Sequence, residues 1–313
     1  MPSPSKQHPS SMLVIMDLPR QPQTALRRAA ALATETGARL HLAAFVHHPM
    51  YDLPDVFETH QRRSVRRSLE QTRRDWLLDR VRDAGLLAAD LDTEVVWSDS
   101  IHEWIVEACT AKRFDLVLKT AHRSNRFLHT PTDWHLLRDC PAPVWLATAR
   151  RSATGRTSDA SADDATTRPT VLATLDPTRT DKTHTKLNHR VMEMAAARAE
   201  ARDADLHVAW CMRTLDLLSD LDPVQPDQYG AKIMDTMLPR LHSLAEPWQI
   251  PRNRIHLPFG TPGSALAQLA RQIDAELIVI GNSARHGASA FMRHSTSERV
   301  LEKARCDVLA VRG

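Results

Sequence analysis

Three adjoining stretches near the C-terminal end of the chain bring together residue types that could hold a phosphorylated ligand. Residues 276–281, Glu-Leu-Ile-Val-Ile-Gly, form an apolar run of strand length that stops at a glycine. Residues 282–287, Asn-Ser-Ala-Arg-His-Gly, are small or basic, and residues 294–301, His-Ser-Thr-Ser-Glu-Arg-Val-Leu, restart as a helix with hydroxyls in its first turn. Each type has a use beside phosphate. Gly281 lets backbone approach a ligand closely. Arg285 and His286 bring positive charge, and the amides around Ser295, Thr296 and Ser297 offer donors at the positive end of a helix. Asn282, Ser283 and Gly287 make up the loop between strand and helix, and His294 stands immediately before the hydroxyls. An acid at the end of an earlier strand, Asp176, belongs with them, because open parallel sheets take ligands beyond the carboxyl ends of their strands. The other use for Asp176 is a turn with Pro177, and Ser295 to Ser297 serve as helix caps in either case.

Such a site needs a scaffold, and the chain alternates strand and helix from its start. Residues 11–17, Ser-Met-Leu-Val-Ile-Met-Asp, read as a buried strand ending in the acid Asp17. An Ala-rich helix over 24–36 is stopped by Gly37. A strand follows at 39–46, then a long helix over 55–84 with Val65, Leu69, Trp76, Leu77 and Val81 mostly at helical spacing. Next come a strand at 93–97, a helix capped by Ser100, a strand at 115–119, a helix starting at Pro131 and a strand at 144–147. This alternation predicts an α/β fold, a parallel sheet covered by helices on both faces.

Residues 151–168 contain almost no large apolar side chain and read as a linker. The series then repeats, with strands at 170–176, 205–210, 254–257, 277–280 and 308–311. Its helices fall at 185–203, at 229–245 with a break near Pro239, at 263–273 and at 297–304. Asp17 and Asp176 lie 159 positions apart, Asp115 and Glu276 161, and Val144 and Val308 164. Offsets this steady mark an internal duplication, with domains at 10–150 and 169–313. The copies differ where the loop matters. Thr120 falls on the site of Gly281, the loop of the first copy is three residues shorter, and Pro131 removes an amide from the first turn of its helix. A ligand is therefore expected in the second copy alone.

Composition narrows the function. Across 313 residues, 41 Lys and Arg face 38 Asp and Glu, a surplus too small to create a general field for nucleic acid. The basic run at residues 62–67 reads as a solvated helix face. Cys109, Cys140, Cys211 and Cys306 show no Cys-x2-Cys spacing and sit beside apolar segments, which predicts reduced, buried thiols. No signal-peptide core or membrane-length apolar run is present, so the cytoplasm is expected. Sixteen histidines lack helical ligand spacing with a carboxylate base, so no structural metal is expected. The tryptophans read as core or interface residues. No Gly-x-Ser-x-Gly or comparable nucleophile arrangement appears.

The loop of the second copy resembles the nucleotide loop of the universal stress protein family, Gly-x2-Gly-x9-Gly-Ser/Thr. Here it reads Gly281, Ala284 for the second glycine, His294 for the third, and Ser295 retained. Residues 119–145, with Lys119-Thr-Ala-His-Arg, Thr130-Pro-Thr-Asp-Trp-His-Leu-Leu-Arg138 and Cys140-Pro-Ala-Pro-Val-Trp145, are similar to the tandem two-domain members of that family. The resemblance implies two tandem Rossmann-like domains of the adenine nucleotide alpha hydrolase type, each with a five-stranded parallel sheet flanked by helices. It also implies pairing of the domains through their last strands, within one chain or in a homodimer, and contact of Asp176 with the adenosine part of ATP or another adenine nucleotide. The expected function is a stress-response binding module that biases an as yet unknown protein partner, with magnesium needed only to accompany a nucleotide. No membrane and no specific nucleic acid is expected as a partner. A slow ATPase and a scaffold holding an amphipathic ligand are the alternatives.

Overall fold

The computed structural model describes residues 8–47, 51, 59–87, 91–121, 131–149, 168–212, 226–282 and 296–313. Two compact units are present, one built on Pro9–Ala149 and the other on Arg150–Gly313. In the first, β1 (Ser11–Ile15), β2 (Arg39–Val46), β3 (Leu91–Trp97), β4 (Leu116–Thr120) and β5 (Val144–Ala147) lie in the order β3-β2-β1-β4-β5, every pairing parallel. Between them run α1 (Thr24–Thr36), α2 (Thr59–Asp83), α3 (Ile101–Lys112) and α4 (Pro131–Asp139). The second unit repeats the arrangement. Its strands β6 (Thr170–Thr174), β7 (Asp205–Ala209), β8 (Ile255–His256), β9 (Ala275–Asn282) and β10 (Asp307–Arg312) lie in the order β8-β7-β6-β9-β10, again all parallel. Its helices are α5 (Lys182–Ala201), α6 (Pro226–Ala245), α7 (Pro262–Gln272) and α8 (Thr296–Lys303).

The expected parallel α/β fold is thus found twice, and its cause is visible in the burial. Met12, Leu13 and Val14 of β1 and Ile278 and Val279 of β9 are fully buried, the continuous apolar runs that a sheet covered on both faces requires. In each unit the chain runs outward from the central strand, β1 or β6, on one side and then crosses to its other side with β4 or β9, which opens a crevice at the strand carboxyl ends. Gly37 ends α1 as expected, at φ 71° with its N–H donating to the Ala33 carbonyl at 2.8 Å. Among the described residues no helix is long and apolar enough to cross a membrane.

Four local readings change. α6 runs unbroken through Pro239, which is exposed, with Leu241 and Ala245 buried just beyond it. β8 keeps two residues of the expected four. Ser100 stands at the start of α3 without making a side-chain cap bond, whereas Asp181, unforeseen, caps α5 by accepting the His184 N–H at 3.1 Å. Gly263 is also needed for packing: a Cβ there would lie 2.5 Å from Cβ of Arg299 on α8 and 2.7 Å from its carbonyl oxygen. The matching positions of the first unit, 161 and 164 residues earlier, are His102 and His135, whose rings stack at 4.3 Å.

Candidate functional site

A cleft of about 500 Å³ opens in the second unit at the carboxyl ends of β6 and β9. Asp176, two residues beyond β6, is fixed by α5. Its N–H donates to Asn188 Oδ1 at 3.0 Å, and Asn188 Nδ2 donates back to the Asp176 carbonyl at 2.8 Å. Asp176 Oδ1 accepts both the N–H and the hydroxyl of Thr178, at 2.9 and 2.5 Å, so the turn expected as its alternative use does form. The residue lines the cleft in that state.

Gly281, near the end of β9, also lines it. A Cβ there would come within 3.1 Å of the Leu187 side chain on α5, which would have to give by a few tenths of an ångström to admit it. Asn282 follows, and its Oδ1 accepts the Ser297 hydroxyl at 3.3 Å, which ties the strand end to the first turn of α8. Thr296 and Ser297 bring that turn to the cleft. Of the sequence-predicted set, the structure therefore brings together Asp176, Gly281, Asn282 and Thr296. Ser283, Arg285, Gly287, His294 and Ser295 lie outside the described residues.

Several lining residues were not foreseen. At one edge Asp181 accepts from His184 Nδ1 at 2.9 Å and lies 3.6 Å from Arg179 Nε. The two bonds from His184, with the Arg179 charge behind them, hold the Asp181 carboxyl below the usual carboxylate range. Arg179 and His184 both reach the cleft. Its walls are apolar, with Leu187, Trp210, Met212, Ile233, Leu266 and Ile280. Trp210 thus walls a site, and Cys211 beside it is half-buried there, a correction to the expectation of four buried thiols. Cys109, Cys140 and Cys306 are buried, with 3.8 Å between the sulfurs of Cys109 and Cys140. The Asp-x2-His start of α5 was the one sequence signal that would have found His184.

The same place in the first unit carries an ion pair of the chain's own. Thr120 Oγ1 accepts the Ala25 N–H at 3.0 Å, at the start of α1. Lys119 Nζ lies 2.7 Å from Asp133 Oδ1 and donates to the Thr120 carbonyl at 3.1 Å. Asp133 is completely buried and Lys119 is 6% exposed. Their positions correspond to Ile280 and Ser297 of the second unit, by the offsets of 161 and 164. The first turn of α4 therefore meets a carboxylate of its own chain, which suits the helix N-terminus as an external anion would.

The sequence profile of the universal stress protein family matches residues 10–148 and 180–312, one copy in each unit. The chain belongs to the universal stress protein family. Among its relatives in that family, universal stress protein E of Escherichia coli strain K12 is 26% identical over 308 residues, covering 96% of this chain and 93% of the relative. A homologue from Haemophilus influenzae is 22% identical, over 96% of this chain and 97% of its own length. Two solved structures carry the same tandem fold. A putative universal stress protein from Pseudomonas aeruginosa UCBPP-PA14 aligns with a TM-score of 0.67 at 24% identity, over 97% of this chain and 93% of that one. A universal stress protein from Archaeoglobus fulgidus aligns at 0.62 and 16%, over 98% and 97%.

Proposed function

We propose that this universal stress protein acts in the stress response, in the cytoplasm, as a binding module whose second unit takes one small anion-bearing ligand, an adenine nucleotide first of all. The carrying observation is convergence: Asp176 beyond β6, Gly281 and Asn282 at the end of β9, and Thr296 with Ser297 in the first turn of α8 all line one cleft. Backbone amides at a helix start suit phosphate oxygens, the apolar walls suit a planar base, and Asp176 suits the hydroxyls of a sugar. Magnesium would travel with the phosphates. The four free thiols suit a reducing compartment.

Calorimetric titration with ATP, ADP and AMP tests the reading. Binding is expected at about one ligand per chain, and Gly281→Val should weaken it roughly ten- to a hundredfold by displacing a charge-assisted contact. Because the new side chain also meets Leu187, its fold is checked first by circular dichroism. Two equivalent sites, or none, would contradict the assignment. Phosphate release that disappears in Asp176→Ala would select the slow ATPase. The apolar walls favour one further reading, an amphipathic ligand with an anionic head; such a molecule retained by the purified protein in native mass spectrometry, with no response to nucleotide, would select it.

A further inference from the structure

On β2 with β3 and on β7 with β8, the outer two strands on one side of each unit's sheet, the same four positions carry exchanged chemistry. His41 on β2 stands opposite Leu13, and His207 on β7 stands opposite Leu172, which lies 159 residues after Leu13 as Asp176 does after Asp17. Around His41 the ion pair is Arg39 with Asp92 at 3.2 Å, and the imidazole Nε2 lies 3.1 Å from Glu94 Oε2, itself 3.3 Å from Lys112 Nζ. Around His207 the ion pair runs the other way, Asp205 with Arg254 at 3.0 Å, and the imidazole meets a second imidazole: His207 Nδ1 lies 2.9 Å from His256 Nε2, the rings parallel within 3°. Where the first unit faces histidine with carboxylates, the second faces it with histidine.

The second pair sits at the root of the cleft wall. His256 ends the two-residue strand β8, and its carbonyl accepts the Trp210 N–H at 3.1 Å. The chain then runs beside residues 210–212, with Met212 N–H donating to the Pro258 carbonyl and Gly260 N–H to the Met212 carbonyl, both at 3.0 Å, before Pro262 opens α7. Trp210, Met212 and Pro262 line the cleft.

We infer that His207 and His256 form a proton-operated latch that holds β8 and the cleft wall in place when neutral and releases them when both rings are charged. The hydrogen bond between the rings needs one nitrogen with a proton and one without; once both facing nitrogens carry protons it has no acceptor. Burial first, then His256 and Arg254, push His207 down to about 4, with Asp205 alone acting the other way, and burial pushes His256 down as well. These are the groups that act on the pair: His256 and Arg254 from β8 and the turn before it, Asp205 from β7 itself, with Arg168 before β6 standing 3.9 Å from Asp205. A histidine whose folded value lies below its unfolded one contributes fully above the unfolded value of 6.5, and the contribution is lost as pH falls from there toward 4.

The inference rests on the cleft being the functional site, but its test needs no ligand. Hydrogen exchange is followed on the full chain at pH 7 and pH 4.5, corrected for the intrinsic rate. Segments 205–212 and 255–262 should open at least about tenfold more readily at pH 4.5, a factor equal to one unit of pKa displacement, while β1 and β2 keep their protection. His256→Glu recreates the pairing of the first unit and should reverse the trend, with protection rising as pH falls from 7 to 5. The double variant His207→Gln/His256→Gln keeps a hydrogen bond that does not titrate and should leave these segments flat. A flat wild type, or a wild type that the double variant follows, overturns the latch. Loss of ligand binding at pH 7 would overturn the functional reading while leaving the exchange result standing.

Discussion

The carboxyl ends of the two sheets show what a duplicated domain can do with one geometry. In the second unit the strand end carries Ile280 and Gly281, the helix start carries Thr296 and Ser297, and a cleft lies between them. In the first unit Lys119, Thr120 and Asp133 stand in those places, the Lys119 ammonium paired with the Asp133 carboxylate and the Thr120 hydroxyl taken by the Ala25 N–H. Both units fix the backbone of their leading acid by a side-chain amide: Gln23 accepts the Asp17 N–H at 3.0 Å, as Asn188 accepts that of Asp176. The frame is common, and the difference lies in what stands at the helix start, a carboxylate of the chain itself in the first unit and hydroxyls beside a cleft in the second.

The strongest way to break this comparison is to remove the internal anion. Asp133→Ala leaves the Lys119 ammonium buried without its partner, and breaking such a pair costs about 3–5 kcal/mol. Urea unfolding of the full chain should show the loss in the first unit's transition. The double variant Lys119→Ile/Asp133→Ser installs the residues of the second unit and should recover most of it, since a buried ion pair is replaceable by well-packed apolar groups. A single variant as stable as wild type would mean the pair is incidental.

A smaller effect is expected where the helices cross. Gly263→Ala places a Cβ against the Arg299 backbone, and overpacking of that kind costs about 1–3 kcal/mol. The matching His102→Ala in the first unit removes part of a stack in which the His135 side chain is 43% exposed, and should cost less. Equal thermal shifts for the two would show that the crossings are packed alike after all.

Much of this was legible in the sequence. Continuous apolar runs alternating with amphipathic ones dictate a parallel sheet covered on both faces, and the offsets near 160 exposed the duplication. What the sequence hid were matters of three-dimensional partnership. β8 stops after His256 because Pro258 has no N–H to give a ladder, although its carbonyl still accepts from Met212. Pro239 looked like a break, yet α6 runs through it, with the proline on the exposed face. At the site, Asp176 and Gly281 were found by position, but the tight fit of the glycine against Leu187, a residue 94 positions away, was not. Asn188 and Trp210 carry no local signal for a cleft, and Lys119 with Asp133 reads in sequence as a strand residue and a helix-start acid.

The smallest expected effect concerns the residue that replaces the glycine. Thr120→Val keeps the shape of the side chain and removes the hydroxyl that accepts the Ala25 N–H. That amide belongs to the first turn of α1, and Ala25 is 1% exposed, so water does not readily take over. Loss of a side-chain acceptor at a helix start typically costs about 1 kcal/mol, a shift of a few degrees in the melting of the first unit. The cleft lies wholly in the second unit, so ligand affinity and a stoichiometry near one should stay as in wild type. The pair of measurements separates two explanations for Thr120: a stability loss without an affinity loss fits a residue that caps its own fold, whereas weaker binding would place the first unit in the ligand site and end the division of labour between the copies.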